Sequence, residues 1–509
     1  MASDDGLRMV IDPAFTIARA DERLFGSFVE HLGRVVYGGL YQPGHATADA
    51  DGWRGDVLAL VRDLGVSVVR YPGGNFVSGH DWEDGVGPRE KRPTRLDLAW
   101  RSLESNAVGT DEFMAWAQLA RVEPMLTLNL GTRGVDAARA YVEYCNAPPG
   151  SRYADQRAAN GHPDPYGVRL WCLGNELDGP WQIGQKTAED YGHLAAQAGK
   201  VMRMVDPSIE LVLAGSSGPA MPTFGRWDDT VLDLAWDVTD YLSLHSYFDR
   251  AEHVDVESYL ACSLGFERTI DSIVATIDAV AARKRSHKRV NVSVDEWNVW
   301  HHAENPTPDG SGAFRSAPAI GEDEHDLADA LVVGSLLITL LRHSSRVRIA
   351  CLSQLVNAIA PIRTDDFGPA WRQTTFYPFQ HVASLGRGTV LRLEPSGPTY
   401  HVEGEGPAPA VEAAAILGDD AAEVTIFMVN RIAAEIPLRA VIRDLGPLVV
   451  AEHLELSGPD LRASNSAATP LNVKPRPGHG AQVHDGVLTA TLPGRSWTVI
   501  RLREGRPNG

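Results

Sequence analysis

Eight apolar, β-rich runs alternate with helical patterns along this chain, and that alternation limits the available folds more than any other feature. The runs are Leu24–Glu30, Val66–Tyr71, Pro124–Leu130, Val168–Gly174, Glu210–Gly215, Tyr241–His245, Val290–Glu296 and Arg348–Leu355. Helical periodicity falls between them at Arg54–Leu64, Thr110–Arg121, Val135–Cys145, Thr187–Val205, Val256–Arg285 and Asp323–Arg342, with weaker patterns near Thr230–Trp236 and after Phe376. Thr187 followed by Asp190 gives the fourth helix a capping-box start, with Asp in place of the usual Glu. Repeated strand-helix alternation makes parallel strands covered by helices, so the expected class is α/β with a closed (β/α)₈ TIM barrel. A doubly wound sheet is the alternative, but no G-x-G-x-x-G turn follows the first strand.

Past Gly386 the helical patterns stop. Short alternating runs take over at Thr389–Leu393, Val411–Leu417, Glu423–Val429, Leu448–Leu456, Val487–Leu492 and Ser496–Leu502, separated by Pro, Gly, Asn and Asp. That texture predicts a C-terminal β-sandwich, jelly-roll-like in character. One short strand at Met9–Ile17 lies outside the barrel count and is expected to join it. The expected organisation is therefore residues 1–17 as an N-terminal strand of the sandwich, 18–386 as the barrel and 387–509 as the sandwich. Two long loops read from their Pro, Gly and Asp content, 146–165 and 303–322. The second follows the seventh strand, where it would serve equally well as a lid or as a plain surface loop.

Polar residues collect where the barrel strands end. The fourth run closes on Trp171-Cys-Leu-Gly-Asn-Glu176 and the seventh on Val290-Asn-Val-Ser-Val-Asp-Glu296. A lone Glu in such a place is usually a surface or capping residue. Two, each ending an apolar strand of a barrel, have the chemistry for cleaving a glycosidic bond. One carboxyl protonates the departing oxygen; the other attacks the anomeric carbon or activates water. The other strand ends read Glu30-His31, Arg70-Tyr-Pro-Gly-Gly-Asn75, Asn129 to Arg133, His245-Ser-Tyr247 and Gln354-Leu-Val-Asn357. Such a ring suits the several hydroxyls of a sugar. Trp82, Trp100, Trp181, Trp297, Trp300 and Trp371 lie in or beside these loops, where some can stack on sugar faces and the rest pack the core; Trp100, Trp181 and Trp300 are the subsite candidates.

A formal charge of −19, from 47 basic and 66 acidic residues, disfavours nucleic acid and anionic membranes as partners and suits a neutral substrate. The four cysteines are isolated, with no Cys-x-x-Cys, so neither a zinc nor a redox site is expected. His80-Asp81, His301-His302 and His325-Asp326 do not make a spaced ligand set, and no metal or other cofactor is expected. The first residues lack a basic region followed by an apolar core, and no run of ~18 apolar residues occurs. A cytoplasmic protein is the resulting expectation.

Taken together, Phe28-Val-Glu-His-Leu-Gly-Arg-Val-Val-Tyr-Gly-Gly-Leu-Tyr41, Arg70-Tyr-Pro-Gly-Gly-Asn-Phe-Val-Ser-Gly79, Trp82-Glu-Asp-Gly-Val-Gly-Pro88, Trp171-Cys-Leu-Gly-Asn-Glu-Leu-Asp-Gly179, Asp295-Glu-Trp-Asn298 and Gln354-Leu-Val-Asn357 resemble the α-L-arabinofuranosidases of glycoside hydrolase family 51. The resemblance implies a retaining exo-enzyme with a (β/α)₈ barrel and C-terminal sandwich. It implies Glu176 as acid/base and Glu296 as nucleophile, with Glu30, Arg70, Asn75, Asn175, Tyr247 and Gln354 at positions that hold the arabinose or the nucleophile. It also implies arabino- and arabinoxylo-oligosaccharides as substrates and a homo-oligomer, often a hexamer. Tyr71 stands where the family commonly has Trp. Two readings stay beside it: a sister specificity on the same site, β-xylosidase or endoglucanase, and a sugar-binding protein without catalysis. A proton donor opposite a nucleophile argues against the binder.

Overall fold

The apolar runs can be buried on both faces only if they close on themselves inside a shell of helices. In the computed structural model, which describes residues 6–304, 312–419 and 422–505, they do so as one closed barrel. Its strands are β1 (Gly26–Phe28), β2 (Val68–Tyr71), β3 (Glu123–Thr127), β4 (Leu170–Leu173), β5 (Glu210–Leu213), β6 (Tyr241–Phe248), β7 (Asn291–Val299) and β8 (Val347–Leu352). Every neighbouring pair is parallel, and β8 meets β1 through Cys351 opposite Gly26 and Leu352 opposite Ser27. Alternate residues divide the two faces. Phe28, Val68, Met125, Leu170, Cys172, Val212, Ile349 and Cys351 form one buried cluster, whereas Val69, Leu126, Trp171 and Leu173 join the larger core shared with the helices. The four cysteines are free and buried.

The helices match the expected pattern with three differences. Val256–Arg285 is two helices, Val256–Leu260 and Ser263–Arg283, broken at Ala261 and Cys262. Segment 146–165 contains a helix, Arg152–Ala159, which buries only Ala154 and Arg157 and so shows no apolar periodicity. Arg157 anchors it by donating to the carbonyls of Ala147, His162 and Pro163 at 2.9, 3.0 and 3.2 Å. The last barrel helix begins at Leu327, capped by Asp326, whose carboxylate accepts from Asp329 N at 3.1 Å. Thr187 caps its helix as expected, accepting from Asp190 N at 3.1 Å.

The C-terminal strands form a seven-stranded and a four-stranded sheet. The N-terminal segment supplies a strand to each, Leu7–Ile11 paired in parallel with Ile436–Ile442 and Thr16–Arg19 paired with Thr389–Leu391, rather than the single strand expected. Leu7, Met9, Ile426, Met428, Leu438, Leu488 and Ile500 fill the space between the sheets. The outer face of the larger sheet packs through Phe427, Val429 and Trp497 onto helix Leu327–Arg342. That helix is buried from Leu327 to Leu341, which is why it is apolar all round. A Cβ on its Gly334 would stand 2.6 Å from Trp497 Cε3. Gly334→Val is therefore expected to destabilise by ~2 kcal/mol or more despite leaving a helix-breaking residue behind, read as a lower urea midpoint. Of loop 303–322, weighed from the sequence as a lid or a surface loop, residues 305–311 lie outside the described residues. The rest docks on the barrel rim, with Leu103 N donating to Arg315 O at 2.9 Å.

Candidate active site

The C-terminal ends of β1, β2, β4, β6, β7 and β8 line one cavity, through Glu30, Asn75, Glu176, Tyr247, Glu296 and Gln354, with Trp100 and Trp300 beside them. Leu32, Ile320, Ala358 and Ile359 provide apolar wall. The strand-end carboxylates face each other: Glu176, His245 and Glu296 each offer an atom within 4.8 Å of the others'. That trio is also the place among the described residues where a divalent cation would fit, though its carboxylates are already matched by cationic and N–H partners.

The two glutamates have opposite surroundings. Glu296, buried after the bend in β7, accepts from Arg70 Nη1 at 2.6 Å and from the Tyr247 hydroxyl at 2.8 Å. Burial alone would raise its pKa, but His245 and Arg70 as charges, and Tyr247 and Arg70 as donors, outweigh it and hold Glu296 below the usual range. Glu176 goes the other way. Burial raises it, and the charge of Glu296 adds to that, against hydrogen bonds from His245 and Trp181. It sits at φ +47°, a left-handed conformation costing on the order of 1 kcal/mol or more for a side chain with a Cβ. There Oε1 lies 2.8 Å from His245 Nδ1 and Oε2 accepts from Trp181 Nε1 at 2.8 Å.

Beneath the pair lies a second layer of charge. Arg70 also donates through Nη2 to Asn175 Oδ1 at 2.7 Å, lies 3.3 Å through Nε from Asp295 Oδ2, and stacks 4.7 Å from the Phe28 ring centroid. Burial opposes its charge, but Asp295 and Glu296 raise its pKa well above the ordinary value. His245 is pushed up to about 9: burial lowers it, but Glu296, then the Glu176 hydrogen bond and Asp295, prevail. Its Nε2 is 3.1 Å from Ser243 Oγ, and Ser243 donates to Asp295 at 2.6 Å. Burial and Glu296 raise Tyr247 well above 10, so its hydroxyl stays a donor.

Of the remaining residues expected from the sequence, Glu30, Asn75, Gln354, Trp100 and Trp300 line the cavity, whereas Asn175 and Trp181 are bonded beside it to Asn75 and Glu176. Glu30 accepts from Phe76 N at 2.9 Å, Trp100 Nε1 at 2.9 Å and Gln354 Nε2 at 3.1 Å, and its own N–H donates to Gln354 Oε1 at 3.0 Å. Burial and then Glu296 push it up to about 8, although the Phe76 and Trp100 donors and the charge of Arg70 favour its ionised form. Asn75 accepts from Asn175 Nδ2 at 3.3 Å. The glycines before Asn75 are needed for space rather than for a turn: a Cβ on Gly74 would stand 2.4 Å from Glu30 Oε2. Tyr71 donates to or accepts from His31 Nε2 at 2.9 Å and stacks on Phe113 at 4.1 Å, away from the cavity residues. Trp100 is buried, Trp300 is half-buried and edge-on to Tyr247 at 5.2 Å, and Trp181 is 53% exposed at the mouth. Trp82 and Trp297 are packing residues; Trp82 stacks on Tyr141 at 4.9 Å. Of His80, His301 and His325, none lines the cavity. Sequence reasoning assigns nothing to Ser243, and places His245 and Asp295 only within a strand-end run and a family motif, without a role of their own. The signal was there in His245, polar at a strand end two residues before Tyr247.

A parallel barrel that gathers an acid-biased and a base-biased carboxylate at the C-terminal rim, inside a cavity edged with amides and indoles, is a glycoside hydrolase. Comparison with known proteins narrows the class. The model for the α-L-arabinofuranosidase 1 domain matches residues 60–261, and that for the α-L-arabinofuranosidase C-terminal domain matches residues 295–496. An intracellular exo-α-(1→5)-L-arabinofuranosidase of Halalkalibacterium halodurans is 50% identical over 97% of this chain and 98% of its own length, and one of Bacillus subtilis 48% over 98% and 99%. The solved family 51 α-L-arabinofuranosidase of Bifidobacterium longum superposes with a TM-score of 0.94 at 42% identity, over 98% of this chain and all of its own. The chain belongs to the α-L-arabinofuranosidases of glycoside hydrolase family 51.

Proposed function

We propose that this α-L-arabinofuranosidase releases terminal, non-reducing arabinofuranosyl residues by double displacement, with Glu296 as nucleophile and Glu176 as acid/base. The observation that carries the reading is the carboxylate pair within 4.8 Å, one held ionised and the other raised. Retaining enzymes need ~5–5.5 Å, whereas inverting ones need room for a water. In the first step the Glu296 carboxylate attacks C1 while the Glu176 proton goes to the departing oxygen. In the second, Glu176 takes a proton from water, and that water displaces Glu296. Arg70 and Tyr247 keep the nucleophile aimed and charged.

The cavity is walled by Leu32, Ile320, Ala358 and Ile359, which fits exo action. Glu30, Asn75, Asn175 and Gln354 are the hydroxyl partners, with Trp100 behind Glu30. Trp300 lines the cavity edge-on to Tyr247. Trp181 beside Glu176 offers its face to the leaving sugar. The relatives' names support α-(1→5)-linked arabino-oligosaccharides as the substrate and action inside the cell; the described helices include none long and apolar enough to cross a membrane. A homo-oligomer, hexameric by family resemblance, is part of the same reading. The test is hydrolysis of 4-nitrophenyl α-L-arabinofuranoside against the β-D-xyloside, with the first-formed anomer followed by NMR. The α-anomer is expected from the arabinoside, at a rate well above that of the xyloside; a β-anomer would exclude double displacement.

His245 supplies a pH prediction. Its positive charge lowers both carboxylates. In His245→Asn both should titrate higher, so both limbs of the bell-shaped kcat/KM profile are expected to move to higher pH together. Limbs that stay in place would remove His245 from the electrostatics of the pair.

A further inference from the structure

The proton donor stands on a loop whose backbone has no intrinsic reason to hold it. Gly174 and Glu176 both lie at positive φ, +91° and +47°, and Glu176 has a Cβ. Two residues on, Asp178 is 4% exposed and points away from the cavity. Its carboxylate gathers donors from the loop after β5: Ser217 N at 3.0 Å, Ser216 Oγ at 2.8 Å, Thr223 Oγ1 at 3.2 Å and the Ser217 hydroxyl. Its own carbonyl accepts from Gln185 Nε2 at 2.9 Å. The β5 loop is itself fixed, because Asp228 accepts from Ser216 N at 2.9 Å and Gly225 N at 3.0 Å. Between Glu176 and Asp178 the chain is pinned by buried Leu177, whose carbonyl accepts from Lys186 N at 2.8 Å.

From this we infer that Asp178 is a positioning residue for the proton donor. It ties the β4 loop to the β5 loop, and so holds Glu176 in the left-handed conformation that sets its carboxyl between His245 and Trp181. A strained backbone persists only when its surroundings over-determine it, and Asp178 is the most heavily bonded group next to the strain. The inference rests on Glu176 being the acid/base. Asp178 touches neither the cavity nor the other carboxylates, so its loss should impair proton donation and leave nucleophilic attack by Glu296 nearly intact.

That split is measurable. kcat/KM reports the first chemical step, and a leaving group of low pKa departs without a proton. For Asp178→Ala, kcat/KM on a dinitrophenyl arabinofuranoside should stay within about threefold of the parent, while a methyl or alkyl arabinofuranoside should lose ~100-fold. A plot of log kcat/KM against leaving-group pKa should thus steepen. Asp178→Asn, keeping one acceptor oxygen, should fall between. A Ser217→Ala, Thr223→Val pair, which removes donors from the other side of the latch, should steepen the plot as well and gives the answer if the Asp178 variants do not fold. Losses equal across all leaving groups, or none at all, would overturn the inference. Glu176→Ala, measured alongside, separates the two readings: if its own plot does not steepen, the acid/base assignment fails whatever Asp178 does.

Discussion

Glu296→Ala is expected to lose about 10⁴-fold or more in kcat/KM on every arabinoside, whatever the leaving group, a cost of about 5.4 kcal/mol. Without the carboxylate no covalent intermediate forms, and a good leaving group cannot compensate. Arg70 Nη1 and the Tyr247 hydroxyl, 2.6 and 2.8 Å from the carboxylate oxygens, would then face an empty space of carboxylate size, with His245 Nδ1 3.6 Å from the same group. Two cations around a small void favour an anion. Azide or formate should bind there and attack C1 directly. One displacement inverts the centre, so an activated α-L-arabinofuranoside should give the β-arabinofuranosyl azide, identified by NMR. An azide of retained configuration from this variant would mean that the roles of Glu176 and Glu296 are exchanged. Loss of activity without azide rescue, in a variant shown to be folded, would place the nucleophile elsewhere.

The barrel was legible because its strands are short apolar runs with a polar residue at each C-terminal end. Side chains buried on both faces leave few other solutions, and the strand ends expose what is not core. Glu176, Glu296 and the donors around Glu30 could be picked out for that reason. What the sequence hid has a common cause, in that the relevant partner is distant in the chain. Strand Ile436–Ile442 alternates well, but Pro437 argues against it. In the structure Pro437 precedes the first residue paired with the N-terminal strand, Leu438 opposite Leu7, and on its other side is paired with Thr491. Helix Arg152–Ala159 owes its place to the carbonyls that Arg157 meets, which no periodicity reveals. The single strand expected at Met9–Ile17 became two because the chain changes sheets between them. In the site, His245 and Asp178 are polar residues near strand ends like many others. Their roles follow from distances to Glu176 and to Ser216–Thr223 that only the closed barrel creates.

Glu176→Ala should divide substrates that Glu296→Ala treats alike. With natural arabino-oligosaccharides the departing oxygen is a poor leaving group, and loss of its proton donor is expected to cost ~10²–10⁴-fold. With a dinitrophenyl leaving group the first step should be nearly unimpaired, because Arg70 and Tyr247 still hold the nucleophile charged. The second step then becomes limiting, since no base activates water. The glycosyl-enzyme should accumulate, seen as a burst of phenolate and as a mass increase of one arabinosyl group on the peptide containing Glu296. Azide needs no base, so it should raise turnover and leave as the α-azide, the product of two displacements. The basic limb of the pH profile, which reports the raised Glu176, should vanish with the side chain, while the acid limb, set by Glu296, remains. Neither a burst nor azide acceleration would mean that water still has its base and that Glu176 is not the group that activates it.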